Sequence, residues 1–249
     1  MYILGIETTG AFASSVLMDD DRILGYVKGN DRFSHLQNLM PQVKYVIEKS
    51  KLSIGDIDAI AVSRGPGSFT GIRIGVSSAR ALSQITDIPC VAVSSLEALA
   101  MRAAEHVPQD CGTQVGTDAL DGTLICPMLD ARRHQVYAGG YFLKDGYPVE
   151  AIDAGPYMLD EFLSKAEEYD KILLLGDAVD VYGEKIKTLR PAGTETAIED
   201  IRYQDAVTVA RLGAKLLAEK GGVGYGQVEP DYMRLAEAER KLREKQQKG

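Results

Sequence analysis

Two hydrophobic periods alternate along the chain, and the order in which they change predicts the architecture. Residues 2–7 (YILGIE), 14–18 and 22–28 read as strands, and the acidic run Asp19, Asp20, Asp21 separates the last two as in a hairpin. From Leu36 the apolar positions shift to helical spacing: Leu36, Leu39, Met40, Val43, Val46 and Ile47. Ser34 and Gln37 make a capping box ahead of them, which predicts a helix over 34–49. Pro41 inside it should kink the axis or mark a short first turn. A strand at 59–62, a helix over 69–85 and a strand at 90–93 follow. A second capping box, Ser94 with Glu97, then opens a helix to about residue 105. Three antiparallel strands, then helix, strand, helix, strand is the order of a ribonuclease-H-like lobe.

A polar stretch, 108–122, interrupts the pattern. Strands resume at 124–129 and 135–142, joined by the residues ARRH. A helix over 159–168, a buried strand at 171–175 and a helix over 206–220 come next, the last running into GGVGYG. The expectation is an α/β chain of two ribonuclease-H-like lobes, 1–103 and 104–203. The late helix within 204–222 is expected to pack back onto the first lobe, ahead of a charged tail, 223–249. Within that tail, 234–248 mixes basic residues with Glu237, Glu239 and Glu244, the pattern of a solvated helix more than of an RNA-binding arm.

The stretch SRGPGSFTGIRIGVSSARALSQI, residues 63–85, poses the main functional question. Its glycines suggest a phosphate loop, but the spacing fits neither G-x-x-x-x-G-K-[ST] nor G-x-G-x-x-G. A turn set by Pro66 and Gly67 accounts for them more simply. The helix after it is apolar on nearly every side. Phe69, Ile72, Val76 and Ala79 share one face, Ile74, Ala81 and Ile85 another, and Gly71, Gly75, Ser78 and Leu82 a third. Only Arg73, Ser77, Arg80 and Gln84 make a polar stripe. Such a helix should be covered nearly all round. The cover is either the chain's own helices or a partner, and Gly71, Gly75 and Ala79, four residues apart, would let a partner helix approach closely.

Charge and composition narrow the classes. The net charge is −8, whereas an autonomous nucleic-acid binder is usually basic. No stretch approaches the roughly 20 apolar residues of a membrane span. Met1 leads straight into a strand, so no leader is expected. Cys90, Cys111 and Cys126 are odd in number and form no CxxC pair, which fits a reduced, cytoplasmic setting. No metal is expected: four residues after His35 stands Leu39, and neither His106 nor His134 has a partner at ligand spacing. Ser68 lacks the G-x-S-x-G context of a nucleophile. Thr8 and Thr9 after the first strand, Asp130 at a strand end and Gly176 in LLLGDAVDV are the candidate cofactor positions. Each has an ordinary structural use as well.

The segments ILGIETTGAFASSVLMDD, HLQNLMPQV, AVSRGPGSFTGIRIGVSSARAL, VSSLEALA, LDARRHQVYAG and EPDYMR, in this order and spacing, resemble the TsaB (YeaZ-like) family. These are subunits of the bacterial machinery for tRNA threonylcarbamoyladenosine. The resemblance covers nearly the whole chain, most weakly at 107–122 and 143–200. It implies the actin/Hsp70/sugar-kinase (ASKHA) fold and a non-catalytic role in placing threonylcarbamoyl on the adenosine next to the anticodon. It also implies binding to the metal-containing paralogue TsaD and assembly with the ATPase TsaE. Two copies would pair when TsaD is absent. ATP or ADP and the metal would sit on the partners, and tRNA would be met only through the complex. The implied partner surface is the first two helices: His35, Leu36, Leu39 and Val43 from one, and Phe69, Ile72, Arg73, Val76, Ala79 and Arg80 from the other. The family is also labelled glycoprotease-like (M22), which leaves an independent ATP-binding enzyme or metallopeptidase as the alternative.

Overall fold

The computed structural model describes residues 1–29, 35–105 and 120–233. Ser34, His106, Cys111 and the tail from Arg234 lie outside them. The first sheet holds β1 (Tyr2–Glu7), β2 (Ser14–Asp19) and β3 (Arg22–Lys28) as an antiparallel meander. On the other side of β1 run β4 (Ala59–Gly65) and β5 (Cys90–Ser94), both parallel, giving the order β3-β2-β1-β4-β5. Alternate strand residues point to opposite faces. Leu4, Ile6, Leu17, Ile60 and Val62 meet α1 (His35–Ser50) and α2 (Phe69–Thr86) on one side. Ile3, Val16, Met18, Ala59 and Ala61 meet α7 (Ala206–Lys220) on the other. The helix latest in sequence therefore belongs spatially to the first sheet.

The second sheet repeats this plan. β6 (Thr123–Asp130), β7 (Gln135–Lys144) and β8 (Tyr147–Met158) form a meander, and β9 (Lys171–Leu175) and β10 (Thr194–Thr196) follow in parallel. Its order, β10-β9-β6-β7-β8, is that of the first sheet read from the other edge. One face packs on α4 (Leu159–Ala166), α5 (Ala178–Val181) and α6 (Gly183–Leu189) through Leu124, Cys126, Met128 and Leu174. The other face, with Ile125, Leu129 and Leu173, packs on Leu96 and Leu99 of α3 (Ser95–Met101). Because α3 follows the last strand of the first sheet yet covers the second, it joins the lobes. The buried Arg102 just after it pairs with Asp205 at 3.2 Å and donates to the Asp200 carbonyl at 2.9 Å. Asp205 in turn caps α7 through the Val207 N–H at 2.9 Å. The duplicated lobe gives the two-lobed α/β plan expected from the order of elements in the sequence.

Several elements depart from the sequence pattern. β8 was not expected, because as an edge strand it buries only Ile152 and carries Pro148 and Pro156. β10, α5 and α6 are too short to show a period. The predicted 159–168 helix ends at Ala166, and α3 ends at Met101, continuing as a 3-10 turn through Glu105. Pro41 lies inside α1, which runs through it as one helix.

The small residues of α2 need a correction. They do not wait for a partner helix; they face the chain's own first strand. A Cβ on Gly71 would lie 1.9 Å from the Thr8 carbonyl oxygen, and one on Gly75 2.3 Å from the Thr8 hydroxyl. Ala79 is fully buried in the first-lobe core. This fixes the sign of a simple experiment. In an exposed helix, Gly→Ala stabilises by about 1 kcal/mol. Here Gly71→Ala and Gly75→Ala are expected to destabilise, by about 1–3 kcal/mol from forced displacement of backbone. Urea denaturation reads the sign directly.

Candidate functional site

The turn after β1 and the entry to α2 are built against each other. Ser68 caps α2, its hydroxyl accepting from the Gly71 N–H at 3.2 Å, and its own N–H donates to the Thr9 carbonyl at 2.8 Å. The Thr8 hydroxyl donates to the Gly71 carbonyl at 2.8 Å. At Gly67, with φ +150°, a Cβ would stand 2.6 Å from the Thr9 carbonyl oxygen. Glu7, wholly buried at the end of β1, turns its carboxylate back onto this turn. Its Oε1 accepts from the Thr9 N–H, from the Thr9 hydroxyl at 2.6 Å and from the Gly10 N–H at 3.2 Å. The Thr9 hydroxyl also lies 2.9 Å from that of Ser95, the first residue of α3. Burial pushes the Glu7 carboxyl above the ordinary glutamate range, and the donors from Thr9 and Gly10 pull it part of the way back.

The second-lobe candidates are likewise engaged inside the chain. Asp130 Oδ1 accepts from the Arg132 N–H at 2.7 Å and from the Tyr182 hydroxyl at 2.6 Å. The Asp130 N–H donates to Asp177 at 2.8 Å. Gly176, at φ +97°, sits where a Cβ would be 1.9 Å from the Met128 carbonyl oxygen, so it lets β9 close on β6. Thr8, Thr9, Asp130 and Gly176 thus hold turns together. No group of three or more His, Cys, Asp and Glu side chains able to hold a metal occurs among the described residues. His35 is buried, with Nε2 3.0 Å from the Gly10 carbonyl oxygen, and desolvation lowers its pKa. It anchors the start of α1 to the turn after β1. Cys90 and Cys126 are buried free thiols.

The structure divides the ten residues of the expected partner surface. His35, Leu39, Val43, Ile72, Val76 and Ala79 face inward, into the packing between the helix pair and the first sheet. Seen from sequence alone, a helix that is apolar nearly all round does not reveal which side is the inner one. A charge at Val76 would therefore test the core and not a contact with another protein. The outward members are Leu36, Phe69, Arg73 and Arg80, joined by Met40, Tyr45 and Ile85, which the expected set left out.

Comparisons with known proteins fit this geometry. The family model described as TsaD, tRNA N6-adenosine threonylcarbamoyltransferase, matches residues 32–239. The tRNA threonylcarbamoyladenosine biosynthesis protein TsaB of Bacillus subtilis is 34% identical over 99% of this chain and 100% of its own length. The chain belongs to the TsaB family, within that broader TsaD-like group. TsaB of Escherichia coli is 32% identical over 57% of this chain and 55% of its own. The solved structure of YeaZ from Pseudomonas aeruginosa superposes with a TM-score of 0.75 at 25% identity, covering 93% of this chain and 99% of that one. Another Pseudomonas aeruginosa structure, described as similar to peptidase YEAZ, gives 0.76 at 25% identity over 94% of this chain and 99% of that one.

The segment EPDYMR packs against the start of α2. The Asp231 N–H donates to the Arg64 carbonyl at 2.7 Å, which lays this segment across the entry to α2. Tyr232 stacks on Phe69 with ring centroids 4.9 Å apart, and its hydroxyl accepts from Arg73 Nε at 3.2 Å. Only the P-D-Y composition hinted at an ordered turn; nothing local named its partner.

Glu7 gives a pH test. A carboxyl that keeps its proton more tightly in the folded state costs stability as pH rises from the unfolded value, near 4.5, toward the raised one. Glu7→Gln keeps the acceptor at Oε1 and places its amide where Oε2 has no hydrogen bond. Its Tm is expected to exceed the parent's at pH 7.5, by about 2–4 °C per kcal/mol relieved, and to converge on it near pH 4. Calorimetry at both pH values checks this; a gap of equal size at each would show that Glu7 is not holding a proton.

Proposed function

We propose that this chain is a non-catalytic partner subunit in tRNA threonylcarbamoyladenosine biosynthesis, and that the outer side of α1 and α2 docks the metal-containing paralogue TsaD. The observation that carries the docking is apolar surface left over after the core is complete. Leu36 is 76% exposed, Ile85 82%, Tyr45 47% and Met40 45%, on two helices whose inner faces already fill the first-lobe core. Large apolar side chains left exposed on an ordered helix pair whose core face is already filled favour a contact surface over a solvated one. The non-catalytic part of the reading is supported by the engagement of Thr8, Thr9 and Asp130 in internal hydrogen bonds. The names of the relatives support the pathway. Metal and ATP or ADP then belong to the partners, TsaE completes the assembly, and tRNA is met through the complex.

Leu36→Asp and Met40→Asp place charge on this surface without entering the core. Each is expected to weaken binding to the TsaD paralogue of the same cell by 10-fold or more, roughly 1.4 kcal/mol, with Tm unchanged within about 2 °C. Calorimetric titration of the two purified proteins measures it, and unchanged affinity in both variants sinks the docking assignment.

A further inference from the structure

After α7 the chain runs through GGVGYG and returns to the entry of α2. Val228 is fully buried in the first-lobe core and fixes the start of this return. Residues 229–233 then cross the end of β4 as a strap. Its seat is shaped for it: Gly65, at φ +120°, leaves bare backbone where a Cβ would stand 2.3 Å from the Asp231 carbonyl oxygen. The Asp231 N–H donates to the Arg64 carbonyl at 2.7 Å, and Tyr232 lies on Phe69 with ring centroids 4.9 Å apart. The Tyr232 hydroxyl accepts from Arg73 Nε at 3.2 Å, and the Arg73 guanidinium sits 3.9 Å from the Phe69 ring centroid. The hold is light. The Arg64–Asp231 ion pair spans 3.9 Å between partly exposed groups and adds little. Beneath the strap a cavity of about 30 Å³ remains, lined by Pro66, Phe69, Ile72, Tyr137, Tyr232 and Met233. The strap closes over its seat without filling it, so part of the contact that a filled seat offers is not made.

Phe69 and Arg73 are both the residues that the strap holds and outward residues of α2; Phe69 is 37% exposed even with Tyr232 upon it. A partner that extends to the first turn of α2 meets Tyr232 there. Resting on the docking reading above, we infer that residues 229–233 are an autoinhibitory strap, seated on Phe69 and Arg73 in the free chain and displaced from them by the docking partner. Lifting it leaves the first-lobe core closed, because Val228 stays in place as the pivot and Glu229, next to it, is already exposed. The stack and the hydrogen bond to Arg73 both lie on the outer side, where groups of a partner can replace them. A contact of this kind lowers apparent affinity by the fraction of chains that are open: a strap lifted in about one chain in ten weakens binding about tenfold. Loss of Tyr232 therefore has a signature opposite to loss of an ordinary contact residue. If the strap were part of the docking surface, its loss would weaken binding; as a cover, its loss tightens binding.

The test uses the full chain and the TsaD paralogue. Tyr232→Ala removes both the stack and the hydrogen bond; Tyr232→Phe keeps the stack and loses only the bond to Arg73. In calorimetric titration, Tyr232→Ala is expected to bind TsaD at least threefold more tightly than the parent, with Tyr232→Phe between the two. Amide exchange on the unaltered chain gives a second reading that needs no variant to fold. On adding TsaD, exchange over residues 229–233 is expected to rise, while that of β1 stays as slow as before. Tyr232→Ala binding that is weaker, or less than threefold tighter, overturns the inference. So does a strap whose exchange fails to rise in the complex. If Leu36→Asp weakens pairing while Tyr232→Ala does not tighten it, the docking reading stands and this inference alone falls. If Leu36→Asp and Met40→Asp leave the affinity unchanged, the docking reading falls and takes the strap's role with it.

Discussion

The contact on which the first lobe depends is the approach of α2 to the backbone of Thr8. The helix comes so close that the Thr8 carbonyl and hydroxyl occupy the space of two absent Cβ atoms, at Gly71 and Gly75. That approach lets Ile72, Val76 and Ala79 reach the sheet and join Leu4, Ile6 and Val62 in one buried core. It also fixes the rotation of α2 about its axis. With one side committed to Thr8, Phe69, Arg73, Ser77, Arg80 and Gln84 have to point away from the sheet. The outward surface is therefore a consequence of the inward contact.

The same contact shows why sequence reading went only part of the way. The strand–helix order was legible because the first-sheet strands and α1, α2 and α7 each bury a regular set of positions. β8 was illegible for the opposite reason: at the edge of its sheet it has almost no buried face, so no period forms. For α2 the pattern revealed that too many sides were apolar, but not whose atoms covered them. Gly71, Gly75 and Ala79 at every fourth place suit a strand turn as well as a partner helix, since small size is all that either contact needs. Only coordinates separate Val76, in the core, from Ile85, in water.

At the candidate cofactor positions the structural use that the sequence also offers is the one the fold displays. Thr8, Thr9, Asp130 and Gly176 are the residue types that line phosphate turns, and they do stand at turns. What a sequence does not display is where each donor is already spent. The Phe69–Arg73–Tyr232 cluster was hidden in another way, since it joins residues 159 positions apart in sequence. No local pattern could have paired them.

The two lobes solve one local problem alike. At the end of β1, the carboxylate of Glu7 accepts the N–H two residues on, at Thr9; at the end of β6, that of Asp130 accepts the N–H two residues on, at Arg132. These strands occupy equivalent places in the two sheets. A turn at the end of such a strand is where backbone N–H groups could cradle an anion. Here each lobe sets its own acid on those donors. A phosphate approaching either turn meets N–H groups already bonded and, at Asp130, a group of its own sign. To take the donors it must displace a side chain tethered two residues away, whose effective concentration is very high. At Glu7 the displaced carboxyl would in addition stay buried without its donors, and a buried polar group that loses its partners costs about 1–3 kcal/mol. The same acid-on-turn arrangement therefore closes both strand ends with hydrogen bonds made inside the chain.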